Sequence, residues 1–227
     1  MLGLAKSVSK TGLLLSLGLA MAACSHNAKI QPNKPLVQSN QIYYAPAQTY
    51  NLDLNTPALV GKLDLQDSCS PEGNSLSITD QIGRFYRVDT VNLSNNPKLP
   101  NANTQDIKGL TNQLGQFYAQ VYQAQPTAGM RVVRSSLGQS GYMVLEQADQ
   151  RHIGFLVHQR GDYAYVVQHA QTQFDDVSMQ KNLAQLANNI QVPGRKLKNS
   201  ESEMAMSIDL ASNPQQLAAW KKTAGCS

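Results

Sequence analysis

The sequence predicts an α+β domain. It reads as an antiparallel sheet in the order strands, helix, four-stranded meander, helix, with the helices packed across the sheet. Three observations lead there. Ile107, Leu110, Leu114, Phe117, Tyr118 and Val121 recur at helical spacing, as do Met179, Leu183, Leu186, Ala187 and Ile190. Between these stripes lie four runs rich in β-branched and aromatic residues. The gaps between those runs are only "SLGQSG", "ADQR" and "RGD". A parallel return needs about a dozen residues or more, so the four runs must be antiparallel neighbours.

Taken in order, "YNLDLN" (50–55) and "LVGKLDLQD" (59–67) alternate as short strands do. "SPEGNS" around Cys69 has the composition of a loop, and "IGRFYRVDTVNL" (82–93) that of a strand. Thr104 is placed to cap the first helix, with Asp106 near the positive end of its dipole, and Pro126 and Gly129 to stop it. The meander runs "MRVVRS" (130–135), "YMVLEQ" (142–147), "HIGFLVHQ" (152–159) and "YAYVVQH" (163–169). The second helix is expected over 176–190, ended by Pro193 and Gly194. Beyond it come a possible strand, "MAMSID" (204–209), and a short helix, "NPQQLAAWKK" (213–222), with Trp220 as a packing anchor.

This order, and "GFLVHQRGDYAYVVQHA" (154–170) leading into the second helix, resembles the Mog1/PsbP-like α/β/α sandwich over residues 82–192. The resemblance is architectural. It implies a fold that several small envelope lipoproteins share, and it lends no catalytic residue.

The N-terminus has the layout of a secretory signal: Lys6 and Lys10, an apolar run from Gly12 to Ala20, then small residues. At about 1.5 Å per residue that run is roughly 18 Å long, against about 30 Å of hydrocarbon core. "MAAC" (Met21, Ala22, Ala23, Cys24) resembles the lipobox of bacterial lipoproteins, with Met21 where Leu is usual. The resemblance implies a type II signal peptide cut before Cys24, and diacylglyceryl and palmitate chains on the new N-terminus. Several such chains anchor stably, at about 0.8 kcal/mol per buried CH₂. Ser25, in place of the aspartate that marks inner-membrane retention, implies a place on the outer membrane, facing the periplasm.

The chain thus divides into a signal peptide (1–23), a flexible Pro-, Asn- and Gln-rich tether (24–48), the α+β domain (49–192) and a C-terminal extension (193–227). "IYY" (42–44) inside the tether is a weak candidate for docking on a partner. Removing 1–23 leaves 17 basic and 15 acidic residues, so no basic face for nucleic acid is expected. With Cys24 acylated, Cys69 and Cys226 remain in an oxidising compartment, where two thiols usually pair. The alternatives are two free thiols, or one bonded to another protein. A bridge would close a loop of more than a hundred residues, worth about 5 kcal/mol in the chain-entropy account.

The last hairpin holds the candidate chemistry. A turn centred on Arg160–Gly161 would place Ile153, Phe155, Val157, Ala164 and Val166 on a core face. The opposite face would carry His152, His158, Tyr163, Tyr165 and His169, with His152 directly across from His169. Such a pair is a weak Zn²⁺ or Cu²⁺ candidate, two ligands being too few, and a polar or helix-covered face explains these residues as well. "RGD" (160–162) has the residues a hairpin turn needs. "SMQK" (178–181) matches Ser-x-x-Lys without its companion motifs, and "GQSGY" (138–142) fails the nucleophile elbow at Tyr142. The acids Asp89, Asp149, Asp162, Asp175 and Asp176 are dispersed, and no cofactor fingerprint is present. The expected function is therefore non-enzymatic: a lipid-anchored structural or protein-interaction component of the envelope, with an envelope protein as partner. The alternative is a small-ligand or metal-binding periplasmic lipoprotein.

Overall fold

The computed structural model describes residues 37, 41–45, 49–70, 72–94, 96–127 and 129–192. The signal segment, Cys24, Cys226 and the extension 193–227, with its expected strand and helix, lie outside the described residues. The chain is of the α+β class, mostly antiparallel sheet with two helices. No described helix is long and apolar enough to cross a membrane.

Strands β1 (Ile42–Tyr44), β2 (Asn51–Asp53) and β11 (Ile190–Gln191) form a small sheet with β2 in the middle. The large sheet is built from β3 (Asp64–Ser70), β4 (Gly73–Thr79), β5 (Phe85–Asn92), β6 (Ala124–Pro126), β7 (Arg131–Ser135), β8 (Gly138–Gln147), β9 (His152–Arg160) and β10 (Tyr163–Gln171). Its order is β3-β4-β5-β10-β9-β8, and β6 and β7 share the outer edge of the long strand β8.

Helix α1 (Ile107–Tyr122) packs on β8 and β9, and α2 (Asp176–Ala187) on β10 and β9. They lie on opposite faces, because successive strand residues point to opposite sides. On one face Leu110, Leu114 and Tyr118 of α1 meet Met143, Leu145, Phe155, Val157 and Val166. On the other, Met179, Leu183 and Leu186 of α2, with Tyr43, Tyr50 and Leu52, meet Tyr142, Leu156, Tyr165 and Val167. Each such side chain, taken from water, contributes about 1.5–3 kcal/mol. Gly154 lets α2 approach: a Cβ there would sit 2.5 Å from Met179 Cγ and 3.1 Å from Leu183 Cδ1.

Several expectations change. The end of the expected tether belongs to the fold: Tyr43 is fully buried, tilted against Tyr50 at 5.8 Å between ring centroids. "IYY" is therefore a core strand and not a docking motif. The expected loop around Cys69 is the β3–β4 hairpin, with Ser70 paired to Gly73. Gly73 has φ of +152°, and a Cβ there would strike the Thr90 carbonyl, so only glycine fits. The stripe of α1 does not include Val121, which is 49% exposed. Its N-cap is Asp106, whose carboxylate accepts from the Gly109 N–H at 2.7 Å, and not Thr104. The helix ends at Tyr122, ahead of Pro126 and Gly129, because Gln123 turns left-handed. Helix α2 stops at Ala187, and Ile190 is buried from β11, opposite Leu52.

The fold predicts a contrast within α2. Leu183→Ala should lose about 2–5 kcal/mol in urea denaturation, because it opens a void between α2 and the sheet. Val177→Ala, at a residue 75% exposed on the same helix, should stay within about 0.5 kcal/mol of the parent.

Candidate functional site

Histidines 152 and 169 do not face each other. Gly161, with φ of +55°, is the first of the two central turn residues, so Arg160 pairs with Tyr163. The register moves by two: His152 lies opposite Gln171, and His169 opposite Gly154. The His169 ring is 1% exposed and stacks on Tyr86 at 4.2 Å. Its Nδ1–H donates to the Phe85 carbonyl at 3.0 Å, which leaves Nε2 as the acceptor. Nε2 accepts the Gln171 amide at 3.1 Å and the Asn182 amide at 3.3 Å. A metal would have to displace both. The His152 ring stacks on Phe174 at 4.6 Å, with Nε2 3.8 Å from Glu146. Among the described residues no group of His, Cys, Asp and Glu is placed to hold a metal ion. Asp175 accepts from the Val177 N–H at 3.1 Å, an N-cap, while Asp176 takes Arg131 at 2.8 Å and the Tyr142 hydroxyl at 2.7 Å.

Burial holds the His169 ring below the ordinary histidine value of 6.5, the nearby Arg84 charge adds to this, and the Phe85 carbonyl and Asp80 oppose it. The folded state therefore favours the neutral ring.

Among the described residues, the surface left open lies across the outer half of the sheet. Helix α1 covers β8 and β9 but has no substantial contact with β3 or β4. On that side Gln66 of β3 stands beside Ser77 of β4, which stands beside Arg87 of β5. The neighbouring row is Ser68, Ser75 and Asp89. Gln66 and Phe85 are exposed, the serines and Arg87 half-exposed. The alternation is physical: Asn74, Leu76 and Ile78 fill the covered face, and the small polar residues between them face outward.

Arg87 is fixed from beneath. Its Nε–H donates to Asp89 Oδ1 at 2.8 Å, and Asp89 Oδ2 accepts the Tyr118 hydroxyl at 2.7 Å and the Gln168 amide at 2.6 Å. The Tyr122 hydroxyl closes the network on Gln168 Oε1 at 2.7 Å. Burial works against the Arg87 charge, and the Asp89 carboxylate outweighs it and holds the guanidinium above its ordinary value. Burial pushes the Tyr118 and Tyr122 phenols up, Tyr122 to about 12, so both stay protonated donors. The result is a cation locked in orientation, 34% of its side chain exposed, at the inner border of a hydroxyl-lined sheet face. It can donate in a fixed plane to carbonyls or a carboxylate. The Asp89 network escaped the sequence reading, although two signals were available. Arg87 and Asp89 share a strand face at i and i+2, and Tyr118 and Tyr122 share a helix face at i and i+4.

Cys69 stands in β3 on the same face as Leu65 and Asp67, opposite Asn74. It is not a free thiol. Cys24 and Cys226 lie outside the described residues. Compared with known protein families and with curated proteins, the chain matches none of them.

Two outcomes follow. His169 contributes stability in full above the histidine value of the unfolded chain, about 6.5. That contribution should be lost as the pH falls from there through the lower folded value. Urea midpoints of the parent should fall across this window, while those of His169→Gln stay flatter. Asp89→Asn should cost about 1–3 kcal/mol in the same assay, by disturbing a buried network of three donors.

Proposed function

We propose that the chain is a lipid-anchored, non-catalytic interaction component of the bacterial envelope, held on the outer membrane and facing the periplasm. The observation that carries the address is "MAAC" after a charged and then apolar leader, with Cys24 as the acylated N-terminus. The 13 residues from Cys24 to Val37, the first described residue, reach at most about 45 Å from the bilayer. That is enough for the open sheet face to meet another envelope protein. The partner contact falls on the β3–β4–β5 face around Arg87, where a rigid charged donor and exposed Phe85 sit among small hydroxyls. Arginine and aromatic residues of this kind carry most of the energy in protein interfaces. The opposite placement of the two helices supports the likeness to the Mog1/PsbP-like sandwich. The same reading pairs Cys69 with Cys226, tying the C-terminal extension to β3.

Cys24→Ser should move the protein from the detergent-requiring membrane fraction to the soluble periplasmic fraction. A photo-crosslinking residue at Ser77 should yield one discrete adduct in intact envelopes, lost in Arg87→Ala. A mature chain starting at another residue sinks the address. An Arg87→Ala protein that folds and still gives the adduct sinks the proposed face. Non-reducing peptide mapping should recover Cys69 linked to Cys226.

A further inference from the structure

A cleft of about 410 Å³ opens between the small sheet and β3, on the side of the large sheet opposite α1. Leu54, Leu59, Leu63 and Leu65 wall it, and Lys62 stands at its rim. Leu63 and Leu65 are only half covered, although they pack against the main core. The wall is rigid, because Asp80 secures its loop. The Asp80 carboxylate accepts the Val60 N–H at 3.2 Å and the Arg84 N–H at 2.9 Å, and Gln81 Oε1 accepts the Lys62 N–H at 3.3 Å. A concavity held open in this way, walled by leucines and edged by Gln41, Asn55 and Thr56, can seat an apolar side chain and hydrogen-bond the chain beside it.

We infer that the occupant is this chain's own C-terminal segment around Leu217–Trp220. The inference rests on the pairing of Cys69 with Cys226 proposed above. Leu65, Asp67 and Cys69 share one face of β3, so the cleft wall and the bridge lie along one line. Leu65 is four residues from Cys69, about 13 Å along a strand. Trp220 is six residues from Cys226, which spans about 9 Å as helix and about 20 Å when extended. The distance along β3 falls between these limits, so a segment bonded at Cys69 is long enough for its tryptophan to reach Leu65 and Leu63. Reach on the other side does not limit it. The 27 residues from 193 to 219 extend up to about 90 Å from Val192, where the described chain leaves the small sheet. "LAAW" (217–220) is an apolar run followed at once by Lys221 and Lys222, the pattern of an anchor with a solvated flank.

Trp220 is the single tryptophan of the chain, so its fluorescence reports this contact without labelling. In the oxidised full-length protein the emission should be blue-shifted and poorly quenched by acrylamide. Leu63→Glu, a half-exposed wall residue, should return both to the values of the denatured chain while far-UV circular dichroism stays unchanged. Val177→Glu, on an exposed face of α2, should leave them as in the parent. A solvent-like emission in the parent overturns the inference, as does a protected Trp220 that Leu63→Glu fails to release. So does stoichiometric binding of a hydrophobic dye in the cleft of the parent, which would show it open to an outside ligand. If peptide mapping finds no link between Cys69 and Cys226 while Trp220 is protected and released by Leu63→Glu, the pairing fails and the docking stands.

Discussion

The middle stretches of strands β10, β9 and β8, and β5 from Val88 to Thr90, are covered on both faces, and most of the structure answers to that constraint. A strand buried on one side can alternate apolar and polar residues and leave the polar ones in water. These stretches cannot. Every polar side chain they carry must find its partner inside, or the domain loses the desolvation energy of that group. Asp89 is the sharpest case, 3% exposed between the sheet and α1. It is tolerated because Arg87, Tyr118 and Gln168 all donate to it. His169 is the counterpart under α2, with both ring nitrogens bonded and its plane stacked on Tyr86. Asp89 and His169 are thus explained by the demands of a two-sided core.

The same constraint relaxes toward the edge at β3. There no described helix lies above the α1 side of the sheet, and the outward positions of β4 become Ser75, Ser77 and Thr79. The inner end of the Asp89 network is buried and its outer end, Arg87, reaches this surface. One set of bonds therefore serves two purposes: it satisfies a buried carboxylate and holds a surface cation in a fixed plane. A flexible lysine at that place would forgo the second role, since it has no planar fork to orient.

On the other face of the same edge the described covering is β1, β2 and β11. Tyr43 reaches Asp67 of β3 at 3.1 Å, and Burial is the main force that raises that carboxyl above its ordinary value, with the Tyr43 hydroxyl opposing it. The Asn74 amide spans the same corner, donating to the Ser68 carbonyl at 3.0 Å. This small sheet joins residues from both ends of the described chain, β1 and β2 with β11. The leucine-walled cleft beside it is lined from the N-terminal side alone, by residues between Val37 and Leu65.

Local patterns were legible in the residues because periodicity is a local property. The apolar stripes of α1 and α2 and the alternation of the central strands follow from 3.6- and 2-residue repeats. So does the α+β class. Strand β4 was hidden because only Leu76 and Ile78 in "GNSLSIT" are apolar, and its other residues are those of a turn. The strand at Ile42–Tyr44 was hidden because three residues in a Pro- and Gln-rich stretch have no pattern; β2 and the buried Tyr43–Tyr50 contact create it. The hairpin register turned on which residue sits first in the turn, and glycine's tolerance of positive φ decided it at Gly161. Which face each helix covers, which acid is buried and which arginine remains at the surface depend on contacts between residues far apart in the chain. No periodicity carries that information, because those energies exist only once the layers have closed on one another.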